Sequence, residues 1–302
     1  MTIYTHIDSN IRKTYLLMAG FGLFIVFLGW FFSRLLGSNV FLILAIIIAF
    51  FQGFLSYWYS DKIVLALTHA KPIEKKDNPE LYRIVENLAI TAGLPTPKIY
   101  ILEESQPNAF ATGRDPKHSV IAVTRGLLEK LEKSELEGVI AHEFSHIGNR
   151  DMLLATIAVI LAGVIALICQ WFFRLNLLGF GRRRRGSGRG DSGILLIIGL
   201  IVALLAPLAA ALIKLAVSRK REFLADASGA LLTRYPEGLA RALEKISSDR
   251  TPLRVANTAT SHLFISSPFK GEEKSQWFLK LFMTHPPVEE RIKALRSGVA
   301  NS

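Results

Sequence analysis

Four mainly apolar stretches divide the chain: Tyr15 to Phe32, Asn39 to Tyr59, Met152 to Phe173 and Ile194 to Ile213, none with a charged residue. Each is close to the roughly 20 residues an α-helix needs to cross a bilayer. Four membrane helices are therefore expected, with Trp30, Trp58, Tyr59, Trp171 and Phe172 near their ends, where aromatic rings favour the headgroup level. The first stretch is too long for a signal-peptide core and lacks a small-residue cleavage site, so it reads as a retained anchor. A buried core helix can show the same pattern, and for the third and fourth stretches that reading stays open.

Between the two pairs, and after the last, shorter periods take over. Pro79 to Ala92 carries apolar residues at helical spacing, with Asn78 as its cap and Gly93 as its stop. Lys98 to Leu102, Asn108 to Thr112 and Val120 to Thr124 read as strands, the latter two joined across Gly113 to His118, where Asp115 and Pro116 favour a turn. Arg125 to Leu131 and Ser134 to Asn149 follow as helices, the second with Ser134 and Glu137 at capping-box spacing. Beyond the fourth apolar stretch, Phe223 to Thr233, Pro236 to Ser247 and Pro287 to Leu295 are helical. The polar segments, about 60–150 and 218–302, together approach one ordinary domain and are expected to fold as one unit. There is no internal repeat, and the low-complexity stretch Gly181 to Asp191 reads as a flexible basic loop.

Half of the 302 residues are hydrophobic, mean hydropathy is above zero and the formal net charge is +11. Much of the positive charge sits beside apolar stretches, as in Lys214, Arg219, Lys220 and Arg221, so the expected partner is the anionic surface of a lipid bilayer and not nucleic acid. Cys169 is the single cysteine, which excludes an intrachain disulfide and a cysteine-based zinc site.

The chemistry concentrates in VIAHEFSHIGNRD, Val139 to Asp151. Leu136, Val139, Ile140, Phe144 and Ile147 recur at helical spacing, so His142 and His146 stand slightly more than one turn apart on one face, able to converge on one ion. Glu143 lies one residue around, near enough to reach a metal-bound water but poorly placed as a ligand. That is the arrangement metal-assisted hydrolysis requires. A catalytic zinc takes three protein ligands and keeps a fourth position open. Glu222 is the candidate third ligand, because SRKREFLAD places Glu222 and Asp226 on one helical face just after the fourth stretch. A hairpin of stretches three and four sets that helix beside the histidines. Asp226, one turn on, can accept the free N–H of a ligand histidine and fix its tautomer.

Taken together, His142-Glu143-Phe144-Ser145-His146 ahead of one apolar stretch, Glu222-x-x-x-Asp226 after another, NAFATG from Asn108 and THPPVEERI from Thr284 resemble the HtpX family of membrane zinc endopeptidases. The resemblance covers essentially the whole chain and extends, more distantly, to the CaaX prenyl proteases of the same clan. It implies one Zn2+ per chain held by His142, His146 and Glu222, with Glu143 as catalytic base and Asp226 behind a ligand. His285 and Arg291 match groups that orient substrate or stabilise the oxyanion, and His285 is stiffened by Pro286 and Pro287. Asn108, with Ala109 and Phe110, matches the substrate-contacting edge strand, and NAFAT alternates as an exposed edge that pairs with an extended peptide would.

The expected fold class is a membrane α-helical protein with an α+β metalloprotease domain: a zincin-type HExxH helix, a small β-sheet and about four hydrophobic helices. Residues 1–60 form a transmembrane hairpin and 61–151 the first half of the catalytic domain, while 152–217 form a hydrophobic hairpin with the basic loop and 218–302 the second half. The implied function is proteolysis of misfolded or damaged membrane proteins, a quality-control role. A CaaX-type prenyl protease is the alternative, disfavoured by the small number of spans. A non-catalytic scaffold has no need of His142, Glu143, His146 and Glu222 together, and a transporter would carry charges inside its spans. Oligomeric state is not legible.

Sidedness draws two arguments apart. Ligands flanking stretches three and four put both polar segments on one side of the inner cell membrane, which the resemblance makes the cytosol, and Arg12 and Lys13 before the first stretch agree. The same topology sends Arg174, Arg182, Arg183, Arg184, Arg185 and Arg189 across the membrane if stretches three and four span, against the positive-inside rule. The other solution is a hairpin that dips into the bilayer or lies beside it.

Overall fold

The computed structural model describes residues 3–177, 219–251, 263–265 and 286–300. Ile3–Leu36 (α1) and Val40–Trp58 (α2) are the described helices long and apolar enough to cross a membrane. They pack along each other so closely that a Cβ at Gly29 would collide with Ala45. Phe41, Ile43, Phe50 and Phe54 of α2 point outward, as lipid-facing side chains do. Helix α1 starts at Ile3, well ahead of the apolar stretch, and its polar first turns bury Asn10 and Thr14 against the protein.

Ser60–Leu67 (α3) leads into a sheet of Lys71–Pro72 (β1), Lys98–Leu102 (β2), Ala109–Gly113 (β3) and Ser119–Thr124 (β4), in the order β1-β2-β4-β3. Strands β2 and β4 are parallel, while β1 and β3 run antiparallel to their neighbours, which leaves β3 at one edge. Pro79–Ala92 (α4) is bounded as its sequence predicts: Asn78 accepts the Leu81 N–H at 3.0 Å and Gly93 closes the helix at φ 64°.

Arg125–Lys130 (α5) precedes Lys133–Gly148 (α6), the His-Glu-x-x-His helix. The cap of α6 is Glu132, not Ser134, and the Glu132 N–H donates to Glu135 at 2.8 Å. The cause is tertiary. Glu135 is buried and also accepts Lys245 at 2.7 Å, so the inward-facing acid fixes where the helix starts.

At the far end of α6, Arg150 takes φ 59° and Asp151–Leu177 (α7) leaves at 83° to it. The start of α7 does not face lipid: Leu153, Ile157 and Leu161 pack on Phe21 of α1, and Val159 joins Val64, Leu102 and Phe110. The third apolar stretch thus begins as a core helix. The fourth, with the basic loop, lies outside the described residues. Arg219–Thr233 (α8), Pro236–Ser248 (α9) and Val288–Ala300 (α10) complete the architecture, and Leu239, Leu243 and Leu295 share one core with Leu81, Ile84, Val139 and Phe144.

Candidate metal centre

Helices α6 and α8 meet at Gly229, where a Cβ would stand 2.9 Å from the His142 backbone nitrogen. This approach lays the first turn of α8 over the histidine face of α6. His142 Nε2 and His146 Nε2 are 3.2 Å apart, and Glu222 reaches to 3.8 Å from the first and 3.6 Å from the second. Ligand atoms about 2.0–2.1 Å from a tetrahedral ion stand about 3.3 Å from one another. The triangle fits one metal ion once Glu222, which approaches the two histidines through different oxygens, turns to present one of them to both. Among the described residues it is also the group of acidic and histidine side chains whose donor atoms converge, all within 4.8 Å.

Each histidine is backed by a carboxylate. His142 Nδ1 lies 2.9 Å from Asp226 and His146 Nδ1 3.3 Å from Asp151. Arg291 grips Asp226 with its fork, Nε to Oδ2 at 2.8 Å and Nη2 to Oδ1 at 2.7 Å. Its remaining nitrogen donates to the Ile265 carbonyl at 3.3 Å and stands 3.6 Å from Glu222. Burial by itself raises the Asp226 carboxyl, but the Arg291 charge and hydrogen bonds, joined by His142, hold it down at about 2. For His146 burial opposes protonation, yet the Asp151 hydrogen bond and the charges of Glu222, Asp151 and Glu143 push the imidazole up to about 9. Arg291 therefore departs from the expectation of a substrate contact: it is fully buried, and all three of its nitrogens face protein groups. A guanidinium without water needs carboxylate partners, and Asp226 and Glu222 supply them.

Glu143 lies buried beside the triangle. Burial lifts its carboxyl above the usual range and Glu222 adds to this, while His142, His146 and a hydrogen bond from the Ala111 N–H act the other way. The Thr124 N–H donates to the Asn108 carbonyl at 2.9 Å, so by antiparallel alternation Asn108, Phe110 and Thr112 turn their backbone groups to β4. Those of Ala109, Ala111 and Gly113 face the outer edge. The edge position of this strand is as expected, but its exposure is not: every residue of β3 is buried, and the Ala109 carbonyl accepts the Ile265 N–H at 3.1 Å. The Phe110 side chain is a core residue, meeting Phe264 edge-on at 5.3 Å on the face away from α6. Asn108 is buried too, its N–H donating to Thr124 Oγ1 at 2.8 Å and its amide to Gln106 at 3.3 Å, which anchors the start of β3. His285 lies outside the described residues. Two participants were not foreseen, the Ala111 N–H and Asp151. For Asp151 a signal existed, since an acid at the mouth of an apolar stretch needs a partner.

A helix bearing His-Glu-x-x-His, crossed by a second helix that brings a carboxylate and overlain by an edge strand, is the working part of a metallopeptidase. The profile of Peptidase family M48 matches residues 75–299, and the chain belongs to that family. It is 49% identical over 300 residues to a Protease HtpX homolog of Thermoanaerobacter pseudethanolicus, covering 98% of each chain. It is 51% identical over 269 residues to a Protease HtpX homolog of Thermococcus sibiricus, covering 88% of this chain and 89% of the other. The crystal structure of S. mikatae Ste24p, 22% identical, shares the fold with a TM-score of 0.51, covering 97% of this chain and 67% of that one. With α1 and α2 of spanning length, the chain is a membrane protein.

Proposed function

We propose that this protein is a zinc endopeptidase that cuts unfolded or damaged membrane proteins at the membrane surface, with His142, His146 and Glu222 as ligands and Glu143 as base. One observation carries the reading: the ligand triangle lies beside a buried carboxylate that faces the outer edge of a strand. Held by these three side chains, zinc would supply Lewis-acid chemistry for peptide hydrolysis. Glu143, buried beside the three ligand side chains, would be the group that takes a proton from the attacking water and returns it to the leaving amine. Asp226 and Asp151 accept the Nδ1 protons of His142 and His146, which turns the Nε2 lone pairs toward the metal. Arg291 keeps Asp226 in place and offsets its charge.

An extended peptide laid along the outer edge of β3 would pass over α6 at the level of Glu143, taking the Ala109 carbonyl from the Ile265 N–H and the Ala111 N–H from Glu143. Recognition through main-chain groups is weakly sequence-selective, which suits substrates defined by damage and not by sequence. His285, just ahead of Pro286, is the candidate oxyanion donor. The proposed enzyme is multi-pass with its catalytic side in the cytosol, a reading supported by the spanning length of α1 and α2 and by Arg12 and Lys13 ahead of the apolar stretch. The test is Glu143→Gln, assayed on casein with purified full-length protein. Zinc content is expected to stay at the parent level while cleavage falls by about 100-fold or more. Substantial residual cleavage refutes the role of Glu143.

A further inference from the structure

The two ligand histidines are supported by carboxylates that are themselves held from different places. Asp226 is held by Arg291 within the soluble core, whereas Asp151 is held by Asn10 of α1. Asn10 is buried, and its amide donates to Asp151 Oδ1 at 2.7 Å and to the Asn149 carbonyl at 2.9 Å. Both bonds land on the elbow between α6 and α7, on either side of Arg150, whose φ of 59° is an uncommon conformation for a residue with a side chain. Asp151 Oδ2 then faces His146 Nδ1 at 3.3 Å, and Arg221, next to Glu222, stands 3.6 Å from Oδ1.

We infer that the first membrane helix is a working part of the metal centre, with Asn10 as a positioning residue that sets His146 through Asp151. An amide with two N–H groups can hold two acceptors at once, and here these are a helix-end carbonyl and the carboxylate that orients a ligand. The consequence is that metal affinity depends on how α1 sits against the elbow. An anchor that merely tethers the enzyme has no such effect.

The inference rests on His146 being a zinc ligand, and the experiment separates the two. Full-length protein in detergent, in a Glu143→Gln background, is titrated with zinc against a chromophoric chelator and loaded with cobalt for its visible spectrum. His146→Ala losing zinc altogether supports the ligand set on its own, and retained zinc sinks that set. Asn10→Ala is expected to weaken zinc binding by roughly 10- to 100-fold, as changes behind a ligand do, and to alter the cobalt bands. Asn10→Ser, too short to span both acceptors, gives the same result by a second route. Combined with Asp151→Ala, Asn10→Ala adds nothing further, because the two act in series. Thr14→Ala, one turn along the same buried face, where the hydroxyl bonds only the Asn10 carbonyl, leaves affinity and spectrum unchanged. Parent-like zinc affinity in both Asn10 variants overturns the inference, as does an equal loss in Thr14→Ala.

Discussion

Gly229→Ala should damage the metal site without touching a ligand. The added Cβ would stand 2.9 Å from the His142 nitrogen and 3.2 Å from both His142 Cα and the Ala141 carbonyl carbon, all backbone atoms that cannot rotate away. Ordinary contact begins at 3.4 Å, so α8 must retreat from α6 by about half an ångström at that level. Glu222 lies about two turns back on the same helix and moves with it. Metal–ligand distances tolerate about 0.2 Å. Overpacking of this kind costs about 1–3 kcal/mol, and if the metal-bound state carries that cost, zinc affinity falls roughly 5- to 150-fold. Chelator competition in a Glu143→Gln background measures it, with circular dichroism to confirm the helices. Gly163→Ala in α7, where a Cβ meets nothing within 4 Å, is the control. Zinc affinity within about twofold of the parent, in a folded Gly229→Ala protein, would refute the claim that the α6–α8 approach sets the third ligand.

Acid should destabilise the metal-free protein through Asp226. Its carboxyl is depressed to about 2, so the stabilisation it contributes is present above the ordinary carboxylate range and is lost as pH falls through that value, roughly 2 kcal/mol in all. Melting curves from pH 5 to 2 should show this loss in the parent and a shallower dependence in Asp226→Asn; identical slopes would remove the Asp226–Arg291 pair from the account. For topology, a cysteine at Ser187 in a Cys169→Ser background reports on the basic loop, and one at Ser134 on the catalytic side, using an impermeant thiol reagent on intact cells. Ser134 should stay protected, and its labelling would overturn a cytosolic active site.

What was legible in the sequence is what depends on local pattern. The Asn78 cap and Gly93 stop of α4, the apolar lengths of α1 and α2, and the convergence of His142, His146 and Glu222 follow from spacing and connectivity. Features decided by tertiary contact were not legible. Ser134 is as good a cap as Glu132 until Lys245 arrives beside Glu135. Phe110 alternates as an edge residue should, yet Phe264, more than 150 residues later, makes it core. Arg291 follows the family spacing for a substrate group, and only the fold shows its fork closed on Asp226. Asn10 sits in polar turns that carry no helical signal until Asn149 and Asp151 meet them.

Two helices from distant parts of the chain are proposed to build one zinc site. Metal analysis by mass spectrometry of Glu143→Gln and Glu143→Gln/Glu222→Ala, purified side by side, tests it most directly. The expected result is about one zinc per chain in the first and almost none in the second, with both proteins folded. Equal zinc in the two would contradict it.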